Sequence, residues 1–227
     1  MRIASLVPSG TDIIASLGLG EQLVGVSHEC DHPSARGLPV LTRSQVPSAP
    51  EQAPAEVDAA VSAAVAEGGP LYLTDGALLA ELAPDLVLTQ DICDVCAVRG
   101  RDAHEALPAG ATMVTLSATS VAGLAADLRS VGEAAGVDGS AAAARWLEAM
   151  DSVEAGEAKR VLSLEWSDPP FLGGHWVPEL VERAGGVNVL AAAGAASRRA
   201  TTEELIAADA DVVLFLPCGY DLEAAAR

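Results

Sequence analysis

Cys93 and Cys96 stand two residues apart in TQDICDVCAV, residues 89–98, directly after an apolar run. Two thiolates at that spacing can grip one metal ion, form a redox pair, or fill space as small apolar side chains. A redox pair of this kind ordinarily opens a helix, and the Val98-Arg99-Gly100 that follows has a poor helical pattern. Cys30 and Cys218 complete a set of four cysteines. Four thiolates suit zinc or an iron–sulfur cluster, and a histidine is an acceptable replacement for one of them. One CxxC plus two isolated cysteines does not make a zinc-ribbon spacing, so structural thiols stand as the alternative.

Histidines and aromatic residues gather in the same kinds of segment. His28 and His32 flank Cys30 in HECDHPSARG, and His175 sits in GGHW, where the glycines allow close backbone approach to a ligand. Trp166, Phe171, Trp176 and Tyr220 are four of the chain's seven Phe, Trp and Tyr residues. Such a set fits a flat, largely apolar ligand, or simply packs one lobe against another. Ser9 follows Pro8 in a turn and joins His28 and His175 as a candidate ligand contact. The pair Arg198–Arg199 has the chemistry to hold a carboxylate or phosphate, or to stand exposed before a helix.

The elements that must position these residues are short and alternate in type. RIASLV (2–7), LVGVS (23–27), LPVL (38–41), DLVLTQ (85–90), MVTLS (113–117), RVLSLEW (160–166) and DVVLFLP (211–217) read as strands. Helices are predicted over 12–17 with Ser9 or Thr11 as cap, 56–67, 76–82, 177–186 and 201–210, the last capped by Thr201 or Thr202. DPPFLGGHW reads as a loop. Residues 120–150 read as one long helix or a broken pair, weakened at Gly132, Gly136 and Gly139. Strands alternating with helices imply parallel sheets, and uninterrupted apolar strands imply burial on both faces. The expected fold is α/β: two Rossmann-like lobes with parallel sheets, an N-terminal lobe over 1–118, a connecting helix region over 119–157 and a C-terminal lobe over 158–227, with a cleft between them. In open parallel sheets, ligands bind at the carboxyl ends of strands, and every cysteine falls just past such an end.

Bulk properties narrow the function further. The formal net charge is −19 over 227 residues, and Lys159 is the only lysine. DNA and anionic membrane surfaces would be repelled, so neither nucleic acid nor membrane insertion is expected. The N-terminal apolar run is short and interrupted by Pro8, so a cytoplasmic location is expected, with the cysteines as thiols or ligands. There is no GxSxG, P-loop or HExxH motif, and "LGLGEQLVG" lacks dinucleotide spacing. The chain reads as no enzyme; a nucleophilic role for Cys93 or Cys96 is the weakest alternative.

A family resemblance runs over nearly the whole chain. "RIASLVPSGTDIIASLGLGEQLVGVSHECDHP", "LLAELAPDLVLTQD", "GGHWVPELVERAGGVNVL" and "SRRATTEELIAADADVVLF" resemble successive segments of the cobalamin- and siderophore-binding, class III substrate-binding proteins of ABC importers. The segments "HECD", "CDVCAV", "GHWVPE" and "PCG" resemble a cobalamin-binding subgroup. The resemblance implies a non-catalytic protein that closes two lobes on a corrinoid such as cobalamin, or a related metal-containing ligand. A thiolate or His175 would then serve as axial ligand to the metal. A zinc or iron–sulfur site used in sensing or electron transfer is the rival. The resemblance also implies importer docking through an acidic residue on each lobe. Glu203 matches on the second lobe, but Ala77 stands in place of the first-lobe acid, which argues against docking.

Overall fold

The computed structural model describes residues 1–46, 52–93, 95, 97–220 and 222–226. The chain divides into two compact units. The first takes Met1–Pro47, Val61–Ser117 and Ala125–Ala144; the second takes Ser48–Ala60, Ala118–Leu124 and Arg145–Arg227. In chain order the first half carries β1 (Ile3–Ser5), α1 (Pro8–Ser16), β2 (Leu23–Gly25), β3 (Thr42–Ser44), α2 (Pro54–Ala66), β4 (Tyr72–Thr74), α3 (Gly76–Leu82), β5 (Leu86–Gln90), α4 (Gly100–Glu105) and β6 (Thr112–Leu116). Then come α5 (Val121–Ala134), α6 (Ser140–Asp151), β7 (Arg160–Ser167), β8 (Pro170–Leu172), α7 (Val177–Arg183), β9 (Val187–Asn188), β10 (Arg198–Arg199), α8 (Thr202–Ala207), β11 (Val212–Phe215) and α9 (Leu222–Ala225).

The first unit is built on a four-stranded parallel sheet ordered β2-β1-β5-β6. Ile3, Ala4, Leu86, Val87 and Leu88 are completely buried, as strands covered on both faces must be. Pro8 begins α1 and does more than stop β1. Its fixed φ suits the first helical turn, where no N–H is needed, and the cap is Val7 without any side-chain hydrogen bond. Ser9 and Thr11 therefore lie inside the helix and cap nothing. The strand expected over 38–41 shifts to β3, which pairs antiparallel with β4; Val40 keeps only an isolated bridge to Val26.

The second unit has a mixed sheet ordered β10-β8-β7-β11, with β9 parallel to the start of β7. The expected loop after β7 contains β8, because the chain doubles back through Asp168-Pro169 and pairs Trp166 with Phe171. Pro170 opens that strand, a position where proline is tolerated. Leu162, Leu172, Val189, Ala200 and Ala208 form the core. The expectation of burial on both faces fails at β11. It lies at the edge with β7 as its partner, and Val212, Val213, Leu214 and Phe215 are 38, 57, 38 and 37% exposed.

Residues 121–151 form the broken pair and not one helix. The break falls at Gly136, whose φ is +72°, and Gly139, where a Cβ would lie 2.4 Å from the Leu128 carbonyl oxygen.

The two units share a construction unit that has no fixed short period. RIASL (2–6) and RVLSL (160–164) form β1 and β7. The Arg2 amide donates to Asp85 Oδ2 at 2.7 Å, and the Arg160 amide donates to Asp211 Oδ2 at 2.8 Å. Arg2 Nε donates to the Leu82 carbonyl at the end of α3, and Arg160 donates to Ala208 and Asp209 carbonyls at the end of α8. Each arginine thus satisfies helix-end carbonyls that have no partner within the helix. Ser5 and Ser163 are fully buried, and each faces a glycine, Gly10 or Gly173, whose added Cβ would come within 2.5 or 2.8 Å of the serine Oγ.

Candidate functional site

Trp166, Phe171 and Arg199 lie opposite one another on β7, β8 and β10, since Trp166 is the register partner of Phe171 and Phe171 of Arg199. Directly opposed residues of antiparallel strands share a face, so the three make a line across the second unit's sheet. The Arg199 guanidinium carbon stands 5.3 Å over the Phe171 ring, within the range of a cation–π contact. Tyr220 meets Trp166 edge-on, with centroids 5.6 Å apart at 68°. The indole N–H of Trp166 is shared between the Pro54 and Asp168 carbonyls, each at 3.1 Å.

His175 and Trp176 form a second ring pair, 6.0 Å apart. His175 has φ +55°, a conformation rare for a residue with a side chain. The surrounding chain enforces it: His175 N–H donates to the Ala195 carbonyl at 2.6 Å, and Gly194 N–H donates to the His175 carbonyl at 2.8 Å. A non-glycine residue held this way costs conformational energy and marks a candidate functional position. Its Nδ1 is buried and lacks a hydrogen-bond partner among the described residues. The glycines before it serve the fold and leave no gap for a ligand. A Cβ at Gly174 would lie 2.4 Å from the Ser197 amide nitrogen, and Glu165 ties the same turn by accepting from Gly174 N–H and Ser197 Oγ.

In the first unit, hydrogen bonds brace the described residues around Cys93. Buried Gln90, the last residue of β5, accepts from the amides of Ile92 and Cys93 at 2.6 and 3.1 Å. It also donates to the Cys93 carbonyl at 2.7 Å. Thr89 Oγ1 donates to the Val98 carbonyl, and Asp91 accepts from Gly100 N–H at the start of α4. Tyr72 donates its hydroxyl to Val95 and stands 5.6 Å from the His28 ring, so the HECD segment and the cysteine loop meet through one tyrosine. His28 Nδ1 is 2.7 Å from Thr42 Oγ1 and its buried Nε2 is 3.3 Å from Glu29 Oε1, an ion-pair distance without hydrogen-bond geometry. The imidazole beside it holds the Glu29 carboxyl below the usual glutamate range, against the opposing effect of partial burial.

Cys30 and Cys93 are half-buried and Cys218 is exposed; Cys96 lies outside the described residues. Cys30, Cys93 and Cys218 all follow strand ends, as expected. Among the described residues no three His, Cys, Asp or Glu side chains are placed to hold a metal ion, so nothing there supports the zinc or iron–sulfur alternative. Ser9 is exposed in the first turn of α1. The two arginines expected to stand before a helix are a strand, and both are engaged: Arg198 with Glu204 and Arg199 with Asp58. Tyr72, Gln90 and Glu165 are organising residues that the sequence reading missed. Gln90 was detectable in principle, as a polar residue ending an otherwise buried strand just before the cysteines.

Among the described residues no helix is long and apolar enough to cross a membrane. A family described as "Periplasmic binding protein" matches residues 3–226. A comparison with curated proteins finds no match. Among solved structures, the vitamin B12 binding protein BtuF of Vibrio cholerae is 20% identical with a TM-score of 0.66, covering 94% of this chain and 75% of that one. The heme binding protein HutB of Vibrio cholerae is 19% identical with a TM-score of 0.61, over 95% and 76% of the two chains. The heme-binding protein BhuT, solved with two hemes, is 20% identical with a TM-score of 0.62, over 94% and 76%. At these identities the likeness establishes the fold.

Proposed function

Because the chain belongs to the periplasmic binding protein family, a family of ligand carriers and not of enzymes, we propose that it captures a flat, metal-containing macrocycle, a corrinoid such as cobalamin or a related tetrapyrrole. The observation that carries this reading is the second unit's aromatic set. Trp166, Phe171 and Tyr220 meet at the end of the β7–β8 hairpin, and His175 is fixed nearby in sequence with a ring nitrogen lacking a partner among the described residues. Aromatic faces would desolvate the ring system, and the imidazole would donate to the central metal. The names of the solved neighbours, which bind vitamin B12 and heme, support the same ligand class. Capture would be by binding alone, with no bond made or broken in the ligand. Glu203, exposed in the first turn of α8, is the residue we assign to importer docking on its unit, and Ala77 in α3 offers no counterpart charge.

The test is titration of the purified protein with cyanocobalamin, aquocobalamin and hemin, followed by visible absorption. Saturable binding of any one, with a spectrum altered by His175→Ala, supports the assignment. No saturable binding of any of the three would overturn it.

A further inference from the structure

We propose that Arg199 recognises a carboxylate carried on the ligand's rim, and that Asp58 occupies that carboxylate's place when no ligand is bound. The inference rests on the tetrapyrrole reading and narrows it, because it favours rings bearing free carboxylates over rings whose side chains are amides.

The argument starts from the line Trp166, Phe171, Arg199, fixed by strand register. Two aromatic residues end in a cation stacked on the nearer ring. A flat ring system laid on the aromatics would bring its rim to the guanidinium. That group is planar, permanently charged and shaped for carboxylates. The chain itself shows the fit: both oxygens of Asp58 lie within hydrogen-bond distance of Arg199 Nη2, at 3.0 and 2.9 Å.

The same segment makes a second contact on the line. Pro54, four residues before Asp58 at the start of α2, accepts from the indole N–H of Trp166. One piece of chain thus engages both ends of the line through polar groups, a carbonyl at the indole and a carboxylate at the guanidinium. The Arg199 side chain is 55% exposed while that of Asp58 is 19% exposed, so solvent and solutes reach the guanidinium side of the pair. An ion pair this exposed is weak enough to exchange. A carboxylate arriving with the aromatic contacts of its ring would displace one that arrives alone.

The experiment compares protoporphyrin IX with its dimethyl ester, which lacks the free acids and, like the parent, carries no metal, so that His175 ligation does not enter. Binding is read by quenching of tryptophan fluorescence in the wild type, Asp58→Ala, Arg199→Gln and Arg199→Lys. For the free acid, Asp58→Ala should bind about threefold tighter, as loss of a competing exposed pair implies. Arg199→Gln should bind at least about tenfold more weakly, with Arg199→Lys between it and the wild type. The ester should bind all four alike. Free acid binding that is equal in all four, or weaker in Asp58→Ala, overturns the proposal and leaves the tetrapyrrole reading intact. Failure of the wild type to bind these porphyrins as well as hemin and both cobalamins overturns both.

Discussion

Tyr72 donates its phenolic hydroxyl to the backbone carbonyl of Val95 at 3.0 Å, fastening β4 to the loop between the two CxxC cysteines. The same ring stands against His28, so one side chain sets the spacing of two segments that are far apart in sequence. Tyr72→Phe keeps the ring contact and removes the hydrogen bond. It should cost about 1 kcal/mol of stability and speed hydrogen exchange at Ile92 and Cys93. Exchange unchanged at those amides would show that the Tyr72 hydrogen bond does not brace the loop.

The glycine-on-serine contact recurs in both units, and it predicts matching costs. Gly10→Ala would put a methyl group 2.5 Å from Ser5 Oγ and 3.1 Å from Leu88 Cβ, and Gly173→Ala one 2.8 Å from Ser163 Oγ. Both serines are fully buried, so each variant should lose about 1–3 kcal/mol through overpacking. Gly69→Ala, with nothing within 4 Å, is the control and should be close to neutral. Denaturant melts of the three variants decide the matter, and a harmless Gly10→Ala would mean that α1 can shift on the sheet.

Acid should release one specific interaction. The His28 imidazole holds Glu29 below the usual glutamate range in the folded chain. A carboxyl whose folded value lies below its unfolded value stabilises at neutral pH. That contribution starts to fade as the pH falls below the unfolded value of about 4.3 and is gone once it has passed the folded value. Glu29 is 37% exposed, so screening limits the effect to a few tenths of a kcal/mol. Glu29→Gln should flatten that part of the stability profile between about pH 5 and 3. An unchanged slope would assign the acid sensitivity to other carboxyls.

His175 offers a test that separates backbone from ring. His175→Gly relieves the positive φ and removes the imidazole, whereas His175→Asn keeps a side chain that tolerates this conformation. If the ring is the metal ligand, both variants lose the spectral shift of bound hemin, while His175→Gly alone is stabilised or neutral in a thermal melt. A variant that retains the wild-type spectrum would remove His175 from the metal.

The sequence showed the strands well where an apolar run follows closely on a proline or glycine, as β5 follows Pro84 and β6 follows Gly110. It failed where the pattern was polar or punctuated. GRDAHE has no apolar stripe, yet α4 forms because Asp91 holds its first amide and Arg99 pairs with Asp102. Pro169-Pro170 read as loop, and only pairing with β7 makes β8 a strand. At the candidate site, the grouping of Trp166, Phe171 and Tyr220 was legible because all three lie at or past predicted strand ends. The partnership of Asp58 with Arg199 spans 141 positions, and no local pattern encodes it. The CxxC spacing was legible too, but Cys96 lies outside the described residues, and among those residues no three His, Cys, Asp or Glu side chains are placed to hold a metal ion.

The exposed apolar strand β11 bears on how this chain is handled. Four consecutive partly exposed apolar side chains, on a strand that among the described residues pairs only with β7, form a surface onto which another extended chain can zip. A formal charge of −19 keeps such molecules apart in dilute buffer. Concentrated salt shortens the reach of that repulsion to about 3 Å at 1 M, and sulfate strengthens apolar contact as well. Ammonium sulfate fractionation would therefore invite clumping, whereas low-salt storage would preserve a clear, monodisperse solution.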